Sequence, residues 1–463
     1  MKSLFVISYA CLVICAQGCG NGESRQIEQP ETQYAITNVD VIPMDSESVL
    51  ENQTVLISNG KFSVIDNAEN VTVPESAVVI DGSGKFLLPG LAEMHAHIPG
   101  SQNMELLEET LFLYLSNGIT IIRGMLGQPY HLELREKAAK NEILSPRIFT
   151  SGPSLNGNSV KTVSEAREKV MAYQEAGYDF LKLHPGLTLE NFNEIVKTAN
   201  EVGITFSGHV SIDVGIQRAL EAKYASIDHV DGYLEGLVPE DAGVDPSQNG
   251  FFGYNFTDIA DRNLIPELAK MTMDAGVWVV PTQSLMERWA GTRAPEELAG
   301  EPEMKYIATK TRNNWIKAVS DYQNKPEFNR EKAARFNQLR RDIIKALHDA
   351  GAGLLLGSDA PQIFNVPGFS IQHELQYMIK SGLTPYEALK MGTVNPAVFF
   401  NKEGEFGVIK TGASADFLLL DANPLEDIEN VQARSGVMVR GIWLPEEEIQ
   451  KKLGRIAAKY AEK

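Results

Sequence analysis

Six residues in this chain have the types and spacing needed to hold metal ions and use them. They are His95 and His97 in Glu93-Met94-His95-Ala96-His97, Lys182 in Phe180-Leu181-Lys182-Leu183-His184, His209 in Ser207-Gly208-His209, His229 in Ile227-Asp228-His229, and Asp359 in Gly357-Ser358-Asp359. In an extended strand residues i and i+2 share a face, so the imidazoles of His95 and His97 lie about 7 Å apart along the chain and can converge on one cation. A single histidine at the end of an apolar run is ordinarily a hydrogen-bonded structural residue. Here the whole chain of 463 residues has only 8 histidines, and four of them belong to this set, which makes coincidence a poor explanation. The 3 cysteines, Cys11, Cys15 and Cys19, all precede the folded body, so neither a disulfide nor a thiolate ligand is available there.

These residues need elements to position them. Eight short apolar or β-branched runs, around Leu91–His97, Ile119–Gly124, Arg147–Gly152, Tyr178–His184, Ile204–Val210, Tyr224–Val230, Gly276–Pro281 and Gly353–Asp359, alternate with stretches of helical length. That alternation predicts parallel βαβ units closed into a (β/α)8 TIM barrel over residues 89–403, with the candidate ligands at the C-terminal ends of its strands. The connections Ala166–Ala176, Leu189–Val202 and Asp213–Ala222 are amphipathic, and Gly177 and Gly203 stand where helices end. Two connections, about Asp231–Asp274 and Thr282–Ala352, are too long for the plain repeat and are candidate lids or substrate loops. Both ends of the chain read as strands. Thr54–Ser58, Asn59-Gly60 and Lys61–Ile65 predict a hairpin, and Ala415–Leu420 and Gly436–Gly441 resemble it in pattern, so residues 34–88 and 404–444 are expected to pair into one small β domain. Residues 445–463 are expected to form a C-terminal helix.

With 42 basic against 61 acidic residues the formal charge is −19, which disfavours nucleic acid or an anionic membrane as the main partner. Lys2 followed by an apolar run from Leu4 to Cys15 is too short to span a membrane and reads as a signal peptide over residues 1–18. Ala16-Gln17-Gly18-Cys19 resembles a bacterial lipoprotein signal, so Cys19 is expected to carry a lipid and residues 19–33 to act as a tether. The reading is of an exported protein, periplasmic or at the cell surface, touching a membrane only through Cys19. Self-association of the chain is compatible with it.

The order His-x-His, Lys, His, His, Asp, framed by Leu88-Pro89-Gly90-Leu91 and followed by Gly382-Leu383-Thr384-Pro385-Tyr386-Glu387-Ala388-Leu389, resembles the metal-dependent amidohydrolase superfamily. Within it the chain is most similar to the branch of imidazolonepropionases and Xaa-Pro dipeptidases. Gly407-Val408-Ile409-Lys410-Thr411-Gly412-Ala413-Ser414-Ala415-Asp416-Phe417 resembles that family's return into its small β domain, and the resemblance implies that the two β-rich ends form a composite β-sandwich. It also implies ligand roles: His95 and His97 for the more buried metal, His209 and His229 for the more exposed one, and Asp359 for the first metal and the attacking water. Lys182 would bridge the two ions as a carbamate formed from CO2.

Two divalent ions lower the pKa of a bridging water and polarise the substrate carbonyl, and Asp359 is then the general base that carries a proton to the leaving nitrogen. Imidazole, carboxylate and carbamate suit Zn2+ best, with Mn2+, Co2+ or Fe2+ tolerated. His184, two residues beyond Lys182, is a candidate substrate contact, and Tyr233 a candidate hydrogen-bond donor to the developing oxyanion. Arg123, ending the second run, can pair with a substrate carboxylate or, the more ordinary explanation, with a neighbouring acid; His131 and His373-Glu374 follow the second and eighth runs closely enough to reach the mouth of the site, a surface role being equally open, and His348 sits inside a helical pattern. The expected activity is hydrolysis of a C–N bond in a small amide, cyclic amide or dipeptide-like molecule. A lactone or phosphotriester hydrolase on the same two metals is the alternative enzyme, and a surface binding lipoprotein without catalysis the alternative class.

Overall fold

The computed structural model describes residues 32–100 and 103–461. The expected leader over residues 1–18, Cys19 and the tether as far as residue 31 lie outside the described residues. The chain opens with β1 (Thr32–Val41), β2 (Leu50–Ser58), β3 (Lys61–Asn67), β4 (Val78–Asp81) and β5 (Phe86–Pro89). β2 and β3 pair antiparallel from Ser58 opposite Lys61, and Asn59 and Gly60 between them have φ of 52° and 71°. Positive φ at both central positions is what the two-residue turn requires, and asparagine and glycine adopt it at least cost.

Seven parallel strands follow: β6 (Leu91–Ala96), β7 (Ile119–Gly124), β8 (Arg147–Thr150), β9 (Phe180–Leu183), β10 (Thr205–Gly208), β11 (Ser226–Asp228) and β12 (Trp278–Val280). β6, β7 and β8 form one parallel sheet, and β9 to β12 a second. Every residue of β6, β7 and β9 is buried, as strands covered on both faces must be. Helices cover them through apolar stripes. Helix Leu189–Val202 buries Phe192, Ile195, Val196 and Ala199, starts where Thr188 accepts a hydrogen bond from the Asn191 amide, and stops at Gly203 with φ 74°.

The expected eighth strand, Gly353–Asp359, is not a regular strand. Its backbone is nevertheless bonded on both sides: Leu355 N donates to Val279 O and Val279 N to Gly353 O at 2.9 Å each, while Met94 N donates to Leu356 O at 2.8 Å and Asp359 N to His95 O at 3.0 Å. Isolated bridges, Ser151 to Phe180, Val279 to Leu354 and Ala96 to Ala360, rather than ladders, join the two parallel sheets and this segment.

β13 (Phe417–Leu420), β14 (Arg434–Val439) and β15 (Ile442–Pro445) then return to the first strands. β13 pairs antiparallel with β5, giving one sheet in the order β15-β14-β13-β5-β1-β2-β3 with β4 beside β1. Strands from both ends of the chain therefore share a sheet. The final helix, Glu446–Ala461, is anchored by Lys459 Nζ and Tyr460 OH on Glu109, at 2.7 and 3.1 Å. The described residues form one compact unit, and among them no helix is long and apolar enough to cross a membrane.

Gly208, which ends β10 and precedes His209, has φ 139°, and a Cβ built on it would lie 2.1 Å from Leu183 O. Gly208→Ala is expected to destabilise the fold by about 2 kcal/mol or more, because the obstacle is backbone and cannot turn aside. Thermal unfolding checks this; an unchanged melting temperature would show that β9 and β10 can part without cost.

Candidate metal centre

Five of the six sequence candidates sit at or just beyond a strand end and Asp359 ends the irregular 353–359 segment, and the structure brings all six together. Ring centroids are 5.5 Å apart for His95 and His97, 4.5 Å for His95 and His229, and 4.6 Å for His209 and His229. Asp359 Oδ1 lies 2.6 Å from His97 Nε2 and 3.6 Å from His95 Nε2, and its Oδ2 lies 3.9 Å from His229 Nε2. Lys182 Nζ donates to Asp228 Oδ2 at 2.5 Å, and the same oxygen is 3.4 Å from His95 Nδ1, which makes no well-formed hydrogen bond. Asp228 Oδ1 accepts from Arg123 Nη2 at 3.3 Å, and Arg123 is fixed by Met94 O and Ser226 Oγ at 2.7 and 2.9 Å. Arg123 thus serves a neighbouring acid, in keeping with the ordinary explanation.

Two sets of potential ligand atoms, His95 with His97 and Asp359, and His95 with Asp228 and His229, each fall within 4.8 Å of one another. Their electrostatics suit cations. Burial, helped by Lys182, pushes His95 down to about 4, and burial pushes His229 well below the usual imidazole range, so both present neutral nitrogen lone pairs. Burial alone would raise Asp359, yet His95 and His97 hold its carboxyl below the ordinary value. Asp228 is buried too, and Lys182 and His95 hold it well below that range. Burial pushes the Lys182 ammonium down against the pull of Asp228.

Supporting groups orient these side chains. His209 Nδ1 donates to Asp231 Oδ2 at 3.0 Å and His229 Nδ1 meets Thr282 Oγ1 at 2.7 Å, which fixes the orientation of both rings. Glu93 accepts from the amides of His95 and Ser358 at 3.1 and 2.7 Å and from Ser358 Oγ at 2.5 Å, tying β6 to the segment that carries Asp359. Burial pushes the Glu93 carboxyl up to about 8. His229, Thr282 and Asp359 have φ of 63°, 46° and 66°, a concentration of left-handed backbone at non-glycine residues that marks a site held in place by its surroundings.

His184 stands beside the cluster, its ring 4.9 Å from His209 and its Nδ1 2.7 Å from Ser154 Oγ. Tyr233 does not join it. Its buried hydroxyl is engaged with Thr272 Oγ1 at 2.9 Å on helix Ile265–Ala275, so this geometry gives the expected oxyanion role no support. His131 is a buried capping residue of helix Pro129–Ala139, and His348 lies in helix Arg330–Asp349. A third acidic group, Glu301 with Glu303 and His373, is occupied by ion pairs: Arg288 and Arg293 reach Glu301 at 2.5 and 2.6 Å, and His373 reaches Glu303 at 2.7 Å.

A cleft of about 440 Å³ opens directly on His209 and Asp231. A larger one of about 610 Å³ shares Val210, Ser211 and Ile212 with it but borders none of the histidines. Four histidines, two of them held neutral by burial, gather with buried carboxylates and a buried lysine beside a cleft and form a candidate metal centre.

The family model for the amidohydrolase family matches residues 86–444, and the chain belongs to that family. With it the chain is a hydrolase acting on carbon–nitrogen bonds, in a family that is generally metal-dependent. It is 21% identical over 409 residues to an imidazolonepropionase of Idiomarina loihiensis, covering 83% of this chain and 90% of that one. It is 23% identical over 433 residues to an ochratoxinase of Aspergillus niger, covering 86% and 83%. A solved Xaa-Pro dipeptidase with methionine bound in its active site superposes with a TM-score of 0.64 at 20% identity, covering 89% of this chain and 99% of that one, which shows a shared fold. The likeness to imidazolonepropionases and Xaa-Pro dipeptidases expected from the motifs is borne out.

Proposed function

We propose that the protein is an exported, binuclear amidohydrolase that cleaves a C–N bond of a small amide, cyclic amide or dipeptide-like substrate. The observation that carries this reading is the convergence of His95, His97, His209, His229, Lys182 and Asp359 on one buried cluster next to a cleft. The two parallel sheets and the 353–360 segment are read as the staves of a closed (β/α)8 barrel, and the sheet built from both ends as the accompanying small β-sandwich.

His95, His97 and Asp359 would hold one ion, His209 and His229 the other, with Lys182 between. Zn2+ is the ion these donors suit best. Two divalent cations would supply a nucleophile at neutral pH and polarise the scissile carbonyl. Lys182 enters as its free amine, which burial favours, and takes up CO2 to form an N–C bond with release of one proton. That conversion removes the cation paired with Asp228 and leaves the carbamate beside the carboxylates of Asp228, Asp359 and Asp231, with Arg123 held on Asp228. Two dications answer that imbalance. Asp359, held ionised, takes a proton from the attacking water and delivers it to the leaving nitrogen. Asp231 and Thr282 keep the rings of His209 and His229 aimed during the reaction.

The Lys2-to-Cys19 segment supports export and lipidation at Cys19. A screen of N-acyl amino acids, Xaa-Pro dipeptides and their carboxamides against esters, lactones and phosphotriesters tests the reading. Amides are expected to be turned over first; activity confined to esters, lactones or phosphotriesters would contradict it.

A further inference from the structure

The larger cleft, of about 610 Å³, borders none of the histidines, so the metal centre does not account for it. Helices Gly215–Glu221 and Ile265–Ala275 bound it, and residues between Gly232 and Pro246 complete its wall. Its volume lies within the range that takes a small organic molecule. Val210, Ile216, Val238, Leu264, Leu268 and Met271 make the wall apolar, and Ile212, also lining it, is 44% exposed. Apolar surface left open to water in this way gains free energy when an apolar body covers it.

Four acidic residues, Glu235, Glu240, Asp261 and Glu267, are among its described lining residues, and no lysine, arginine or histidine is. Glu240 and Glu267 are exposed, and among the described residues neither forms an ion pair. Asp261 is engaged locally, accepting from the Asn263 amide at 2.9 Å. Glu235 accepts from Asn249 through Oε1, while its Oε2 is buried and makes no hydrogen bond. The bases of the two bounding helices, Arg218 and Lys270, pair with Glu221 and Asp274 instead. The divalent ions read into the metal centre do not reverse this field, because Asp228, Asp231, Asp359 and the Lys182 carbamate meet their charge at the centre itself. An apolar wall with an unneutralised acidic rim complements a molecule that is apolar along one part and cationic at another.

We propose that this cleft is a second ligand site, separate from the metal centre, for an organic cation with an apolar body, such as an alkylammonium. Leu268 and Met271 would cover the chain, and Glu240 and Glu267 hold the charge. The proposal does not depend on the hydrolytic reading and is tested by binding alone. Calorimetric titration of the zinc-loaded full chain uses hexyltrimethylammonium, which has no lone pair to give a metal. It is expected to bind at least tenfold more tightly than 1-hexanol, which lacks the charge, or tetramethylammonium, which lacks the chain. Glu240→Gln and Glu267→Gln, at exposed positions, are each expected to weaken it several-fold and together about tenfold. Met271→Trp, which fills the cleft from its own wall, is expected to abolish binding. Asp213→Asn, which removes a charge beside the smaller cleft at His209, is expected to leave the affinity within twofold. Equal binding of either control ligand would overturn the proposal, as would an unchanged affinity in the double glutamine variant or a loss in Asp213→Asn as large as in Glu267→Gln.

Discussion

Asp359→Asn is expected to lower kcat/KM for the preferred amide by about 1,000-fold, roughly 4 kcal/mol of transition-state stabilisation, while the melting temperature stays within a few degrees. The substitution removes the charge and proton-accepting capacity of a group that would also hold one of the ions, and keeps the side-chain size. Asp359 has φ 66°, and asparagine is among the few residues that tolerate this region as well as aspartate does, so no new backbone strain arises. The side-chain shape is kept, including an oxygen able to accept from Gln362 Nε2, now at 3.3 Å from Oδ2. What is lost is the anion facing His97, His95 and His229 at 2.6, 3.6 and 3.9 Å. Kinetics on the variant alongside its unfolding curve check the point; activity within tenfold of the parent would remove Asp359 from its role as base.

Lys182→Ala is expected to act on both stability and metal content. Lys182 and Asp228 are fully buried, and Lys182 Nζ is 2.5 Å from Asp228 Oδ2. In the metal-free protein with an unmodified lysine, truncating it leaves Asp228 with Arg123 at 3.3 Å as its remaining cationic partner, and breaking a buried pair from one side costs about 3–5 kcal/mol. The variant also lacks the amine that would form the bridging carbamate. Bound ions are expected to fall from two per chain to at most one, with kcat/KM down by about 100-fold or more. Chemical denaturation gives the first quantity and elemental analysis the second. A variant that keeps two ions and full activity would refute the bridging role, whatever its stability.

Much of this centre was legible in the sequence because its ligands punctuate apolar runs, and side chains at the ends of parallel strands are the ones free to face a common site. The hairpin at Asn59-Gly60 was legible for an equally local reason, the two positive φ angles that this pair accepts. Asp228 was not. In a continuous strand Asp228 and His229 would point to opposite faces, so choosing the histidine discards the aspartate. The chain instead leaves β11 at Asp228 and turns through His229 and Val230 with φ of 63° and 53°, which lets both neighbours serve the cluster. The same turn, continued by Gly232 at φ 81°, carries Tyr233 into a short helix and aims its hydroxyl at Thr272 rather than at the site. Glu93 was hidden because its partners, Ser358 and the Asp359 segment, are about 265 residues away in sequence. The irregular eighth run reflects a similar non-local constraint: a Cβ on Gly357 would lie 2.6 Å from Val280 Cγ1 and 2.9 Å from His95 N, so the segment threads between two neighbours rather than lying flat beside either.

The central claim is a two-metal centre held by four histidines, Asp359 and a modified Lys182. Elemental analysis of the full chain, produced with Zn2+ in excess and freed of loosely bound ions, tests it most directly. Two ions per chain are predicted; one ion or fewer would contradict it.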